Sequence, residues 1–209
     1  MRAITHTSGE NVKRVLVFFA EGCEEIEAVT LVDYLRRASA GVISASCSDS
    51  LALIGSHGIK LCADTTAARA FKETGAFDAV VAPGGMPGAA NIAACPEAVS
   101  IIEKTRDAGG ITAAICAAPV VVFAKLGLLA GKTYTCYPGM EREFPKWAGA
   151  DWEKRTAYSV KKETACWQDG NLVTGEAPGA AEPFALLLVE LLCGREAAAA
   201  IRKASCLRA

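Results

Sequence analysis

Ile111-Thr-Ala-Ala-Ile-Cys116-Ala-Ala-Pro119-Val-Val-Val-Phe-Ala124 is the stretch that decides the fold. Its first half is a short apolar run bounded by Gly109-Gly110, which reads as a buried strand. Its second half opens with Ala and Pro119, and Pro is tolerated in the first turn of a helix. Cys116 therefore sits where a strand hands over to a helix. A thiol there faces unpaired N–H groups and the positive end of the helix dipole, which favours thiolate. The same turn carries the nucleophile in other α/β enzymes. The competing reading is a buried, inert cysteine in an Ala-rich turn.

Working outward, strands and helices alternate. Residues 12–20 read as a buried strand, followed by a helix over 24–38 whose Ile26, Val29, Val32 and Leu35 form an apolar stripe. Residues 42–47 form the next strand. The runs 51–54 and 59–63 flank Gly55-Ser-His-Gly58 as a hairpin. A short helix over 65–74 precedes a strand over 77–82, which ends in Pro83-Gly84-Gly85-Met86-Pro87-Gly88. A helix over 96–108 leads to the Cys116 strand. Beyond it lie a strand over 132–137, an irregular stretch over 141–151, and strands over 158–165 and 171–174 around Gln168-Asp-Gly170. Helices over 180–193 and 195–206 close the chain. This alternation predicts a mostly parallel sheet with helices on both faces. Residues 1–10 are expected to be a disordered tail and 11–209 a single domain.

The 209 residues are 52% hydrophobic with net charge -1, which suits one α/β core and gives no case for nucleic acid or an anionic membrane. No apolar run approaches the ~20 residues of a membrane span. The polar first ten residues lack the apolar core of a secretory signal, so a cytoplasmic location with reduced thiols is expected for the nine cysteines. No Cys-x-x-Cys pair and only two histidines, His6 and His57, leave no metal site to expect.

Ligands of parallel sheets bind beyond the carboxyl ends of the strands. Three segments fall there: Glu21 to Glu27, Pro83 to Gly88, and Cys116. The N–H groups of Gly84, Gly85 and Ala117 form a candidate anion hole for Cys116, although a Gly-Gly turn needs no such role. Glu24 and Glu25 suit the first turn of a helix through the dipole alone. Glu27, between Ile26 and Ala28, would be held protonated if it points at Cys116, and could then act as a general acid and base. His57 reads as a solvated hairpin tip or a subunit contact, and His6 as part of the tail. Trp147 and Trp152 either line a pocket or pack at the surface.

Taken together, five segments resemble the ThiJ/PfpI superfamily in its DJ-one and YajL branch. They are Gly22-Cys-Glu-Glu-Ile-Glu27-Ala-Val, Gly58-Ile-Lys-Leu-Cys62-Ala-Asp64, Asp78-Ala-Val-Val-Ala-Pro-Gly-Gly85, Ala113-Ala-Ile-Cys116-Ala-Ala-Pro119, and Pro178-Gly179 followed by Phe184-Ala-Leu. The resemblance implies a flavodoxin-like three-layer sandwich, a homodimer and no cofactor. It implies Cys116 as the nucleophilic, oxidation-sensitive thiol with Glu27 as its protonated partner. It implies glutathione-independent conversion of methylglyoxal to lactate, deglycation, or oxidative-stress sensing with redox-regulated chaperone action. Two positions depart from the branch. Tyr137 stands in Thr135-Cys136-Tyr137-Pro138 where a His is usual, and a phenol is a poor base near neutral pH. His57 replaces an arginine. Ala117 after the cysteine argues against a Cys-His hydrolase, and no His-x-Glu pair exists for a glutamine amidotransferase. Cys23 and Cys136, placed at the same sheet edge, are candidate resolving thiols for Cys116.

Overall fold

The computed structural model describes residues 12–73 and 77–207; the expected tail over 1–10 lies outside them. In chain order the elements are β1 (Arg14–Phe19), α1 (Glu25–Arg37), β2 (Gly41–Ser46), the hairpin β3 (Ala52–Ile54) and β4 (Lys60–Cys62), β5 (Thr65–Thr66), α2 (Ala67–Glu73) and β6 (Ala79–Ala82). They continue with α3 (Gly88–Ala94), α4 (Pro96–Asp107), β7 (Ile111–Ile115), a π-helical segment over Pro119–Ala124 and β8 (Thr133–Tyr134). After α5 (Phe144–Trp147), α6 (Trp152–Arg155) and β9 (Val160–Lys161) come β10 (Cys166–Asp169), β11 (Leu172–Gly175), α7 (Ala181–Cys193) and α8 (Arg195–Ala204).

Seven strands form the main sheet in the order β10-β11-β7-β6-β1-β2-β5, and only β10 runs antiparallel. The central strands β1, β6 and β7 are apolar and almost wholly buried, as strands covered on both faces must be. From β1 the chain first moves outward to β2 and β5, then returns to β6 on the other side of β1. With right-handed crossovers this puts α1 on one face and α2, α3 and α4 on the other. The packing agrees: α1 lies against α7, and α2 and α3 lie against α4. The reversal between β1 and β6 is the topological switch point, where a doubly wound sheet leaves a crevice. This is the flavodoxin-like α/β sandwich the sequence predicts.

Several segments differ from the sequence reading. The expected strand over 158–165 shrinks to β9, and β8, expected over 132–137, pairs only with it, outside the main sheet. The edge strand is instead Cys166–Asp169, joined to β11 by the two-residue turn Gly170-Asn171, with Gly170 at φ +61. The turn thus falls after Gln168-Asp169, because the antiparallel register puts Asp169 opposite Leu172. Thr65 and Thr66 extend the sheet as β5 before α2 begins. Helix α3 was not foreseen: Gly88-Ala-Ala-Asn-Ile-Ala-Ala follows a glycine-rich turn and has no polar face to mark its period. Trp147 and Trp152 are half-buried and pack on the core from the outside.

Candidate active site

Helix α1 begins with Glu24 as its N-cap, whose carboxylate accepts from the N–H of Glu27 at 2.7 Å. In a capping box the third helical residue would reach back to the N-cap N–H. Here that N–H is already held by the carbonyl of Gly84 at 3.0 Å. Glu27 is therefore released from capping and turns inward, with 0% of it exposed. Its Oε2 accepts from the N–H of Gly84 at 2.7 Å, while its Oε1 is buried and accepts no hydrogen bond.

Cys116 comes to Glu27 from the end of β7. It is buried and adopts φ +63, a left-handed conformation uncommon for a residue with a side chain. The surrounding backbone holds it there: its N–H donates to Gly175 and its carbonyl accepts from the N–H of Tyr137. Strain of this kind collects at functional turns. The Glu27 carboxyl and the N–H groups of Gly85 and Ala117 all act on the thiol. A Cβ on Gly84 would stand 2.6 Å from the Cβ of Cys116, 2.9 Å from Oε2 of Glu27 and 3.0 Å from the N of Ala117. Only glycine allows the three segments to close. Gly85, at φ +80, is held as tightly against the backbone of residues 22–24.

Burial pushes the Glu27 carboxyl up to about 7, and the charge of Glu24 adds to the effect; the hydrogen bonds from Gly84 and Cys116 oppose it. Burial, followed by the neighbouring Glu27, pushes the Cys116 thiol up to about 12 against the pull of the Gly85 and Ala117 N–H groups. The lowered thiol pKa expected from the helix dipole is therefore corrected: desolvation and an acidic neighbour outweigh the dipole. Two acids in contact titrate as a pair. Glu27 gives up its proton first, near 7, and its charge then keeps the proton on the Cys116 thiol.

The structure brings together Cys116, Glu27, Gly84, Gly85 and Ala117. It corrects one detail, since the Gly84 N–H is spent on Glu27 and only those of Gly85 and Ala117 act on the sulfur. Tyr137 is tied to Cys116 through its backbone, while its side chain is half exposed. Cys23 and Cys136 are buried thiols pushed up to about 11 and about 12, chiefly by desolvation, and neither is among the groups acting most strongly on Cys116.

His57 stands at the hairpin tip with its side chain 70% exposed, and its Nδ1 lies 2.9 Å from Glu25. Desolvation resists ionisation of Glu25, but hydrogen bonds from the His57 side chain and N–H and from the Ile59 N–H bring its carboxyl down to about 2. Among the described residues, ligand atoms of Glu24, Glu25 and His57 lie within 4.8 Å of one another. Their carboxylates are already engaged by protein donors, so the trio ties the hairpin to α1 and is not an open cation site.

A doubly wound parallel sheet with a buried cysteine on the strand-to-helix turn beside its switch point, facing a buried carboxyl, defines a class of α/β reactive-thiol folds. The model of the DJ-1/PfpI family matches residues 13–191, and the chain belongs to that family. It is 35% identical to the Danio rerio "Parkinson disease protein 7 homolog", covering 91% of this chain and 95% of that protein. It is 29% identical to the Caenorhabditis elegans "Glutathione-independent glyoxalase DJR-1.2", covering 90% of this chain and 92% of that protein. Oxidised Toxoplasma gondii DJ-1 superposes with TM-score 0.82 at 35% identity, covering 93% of this chain and 98% of that one. The chain spans about half the length of the Arabidopsis thaliana DJ-1 homologs it matches at 36% and 37% identity.

Proposed function

We propose that the protein is a glutathione-independent glyoxalase that converts methylglyoxal to lactate, with deglycation of glycated proteins as the same chemistry on a larger substrate. The observation that carries this reading is the buried Glu27 carboxyl beside the buried Cys116 thiol, both packed against Gly84. The named glyoxalase relative supports the reaction class.

Glu27 can take the proton of the thiol and hand it on. The sulfur of Cys116, as thiolate, adds to the aldehyde carbon while Glu27 gives its proton to the aldehyde oxygen, forming a hemithioacetal. The Glu27 carboxylate then removes the hydrogen from that carbon and returns it to the adjacent former ketone carbon, while the hydroxyl proton passes to the former ketone oxygen. The product is a lactoyl thioester on Cys116. Water hydrolyses it, releasing lactate and restoring the thiol and carboxyl with their one negative charge. The Gly85 and Ala117 N–H groups stabilise negative charge beside the sulfur. No step uses an imidazole, so Tyr137 does not forbid the cycle. Acid quenching during turnover, followed by peptide mapping, tests the covalent step. The expected result is one methylglyoxal mass on the peptide holding Cys116; turnover with that peptide unmodified would overturn it.

The same N–H groups and Glu27 suit a sulfinate on Cys116, and a solved relative is described as oxidised. Oxidation sensing with chaperone action is therefore a second reading through the same atom. Part of the proposal is a homodimer in the cytoplasm. Ile26 and Val29 on α1 and Ile54 and Ile59 on the hairpin are exposed apolar side chains on two segments joined by the Glu25–His57 pair. Ile26→Glu should shift the protein to monomer in sedimentation; an unchanged mass would reject this face.

A further inference from the structure

Glu24 stands between the surface hairpin and the buried carboxyl. Its Oε2 accepts from the N–H of Glu27 at 2.7 Å, and its Oε1 lies 3.9 Å from Nδ1 of His57 at the tip of the β3–β4 hairpin. The hairpin is pinned to the start of α1. The N–H of Gly22 donates to the carbonyl of Ile54 at 2.8 Å, and that of Ser56 to the carbonyl of Cys23 at 2.9 Å. Glu25 holds His57 with both oxygens, Oε1 on its N–H at 2.7 Å and Oε2 against Nδ1 at 2.9 Å. A Cβ on Gly55 would overlap the Glu25 carboxyl, so glycine is what lets the tip sit this close. We propose that His57 is a positioning residue for the Glu27 carboxyl: its charge, relayed inward by Glu24, governs how readily Glu27 ionises. The effect on turnover rests on the glyoxalase reading above; the effect on the proton does not.

The imidazole is 70% exposed and exchanges protons with solvent, whereas the Glu24 and Glu25 side chains facing it are 7% and 5% exposed. Charges on such buried partners are screened little by water and salt. His57 faces Glu24 and Glu25 on α1 and, on its own hairpin, the hydroxyl of Ser56 at 3.1 Å. Glu27 faces Glu24 on its own helix, the Cys116 thiol from the turn after β7, and the Gly84 N–H from the turn after β6. Behind burial, the Glu24 charge is what holds the proton on Glu27. The hydrogen bond to Glu25, with Glu24 adding to it, holds the proton on His57. An imidazolium offsets the negative charge of Glu24 and lets Glu27 ionise more readily. A neutral imidazole leaves that charge uncompensated, and Glu27 keeps its proton to higher pH.

The test follows the ionisation of Glu27 in the full chain by carbon NMR of isotope-labelled glutamate carboxyls, with the resonance assigned by its loss in Glu27→Gln. Glu24→Gln keeps an acceptor for the Glu27 N–H and removes the charge. The Glu27 midpoint should fall by about half a pH unit or more, the scale of one lost like charge. His57→Gln removes the positive charge, and the midpoint should rise. His57→Arg keeps the charge and should return the midpoint to that of wild type. Looser packing that merely admitted water to Glu27 would lower the midpoint in both Gln variants, so the opposite signs separate charge from structure. Where methylglyoxal is turned over, the acid limb of kcat/KM should move with the same midpoints. If wild type forms no lactate, the glyoxalase reading fails while the midpoints still decide the role of His57. A midpoint unmoved in Glu24→Gln or His57→Gln, lowered in both, or not restored by His57→Arg, would overturn the proposal.

Discussion

Glu27→Gln is the substitution that probes the buried pair most sharply. Glutamine keeps the shape of Glu27, can still accept from the Gly84 N–H, and cannot ionise. In the folded protein the Glu27 carboxyl titrates at about 7 rather than 4.5, and the group is fully buried. The sign follows from linkage. The folded state holds this proton more tightly than the unfolded chain does. The stabilisation is therefore complete below about pH 4.5 and is lost as pH rises through about 7. Weighting both titrations, wild type should lose about 2.5 kcal/mol more than Glu27→Gln between pH 5 and pH 8. Urea unfolding of both proteins at both pH values measures this double difference, in which other titrating groups cancel. A difference that stays flat with pH would refute the reasoning, because it would place Glu27 in the ordinary carboxyl range.

The remaining expectations concern the neighbours of the pair. Gly84→Ala inserts a methyl against Cys116, Glu27 and Ala117, and should cost about 1–3 kcal/mol of stability together with most turnover; calorimetry and activity measured together check it. His57→Ala removes the side-chain donor to Glu25, the largest of those that hold its carboxyl low, and leaves the backbone donors in place. Stability from that pair is present above the ordinary carboxyl range and lost as pH falls toward 2, so the variant should show a weaker pH dependence on the acid side of an unfolding series. Tyr137→Phe should leave kcat/KM for methylglyoxal unchanged, since no proton passes through the phenol; loss of turnover would give that hydroxyl a role in the chemistry.

Much of the fold was legible because the central strands are continuous apolar runs ended by glycine, proline or an acidic turn. The strand before Cys116 and the strand before Pro83 are clear cases. Edge elements were not legible. Trp167 and Gln168 are exposed on a strand with one neighbour, so neither periodicity nor burial marked it. Helix α3 hid in a composition without a polar face. At the site, the strand-to-helix position of Cys116 was visible locally, and the resemblance supplied its partner. That Glu27 touches it depends on Gly84 occupying the N-cap N–H of α1, a contact between segments sixty residues apart in sequence. The thiol's direction of shift was misjudged because a dipole can be read from local sequence and burial beside a carboxyl cannot.

Lactate formation from methylglyoxal, without glutathione, by wild type, Cys116→Ser and Glu27→Gln tests the central claim most directly. The account predicts turnover by wild type and a fall of about 10²-fold or more in each variant, the scale of a lost nucleophile or proton carrier. Turnover that survives in Cys116→Ser, or is absent from correctly folded wild type, would contradict it.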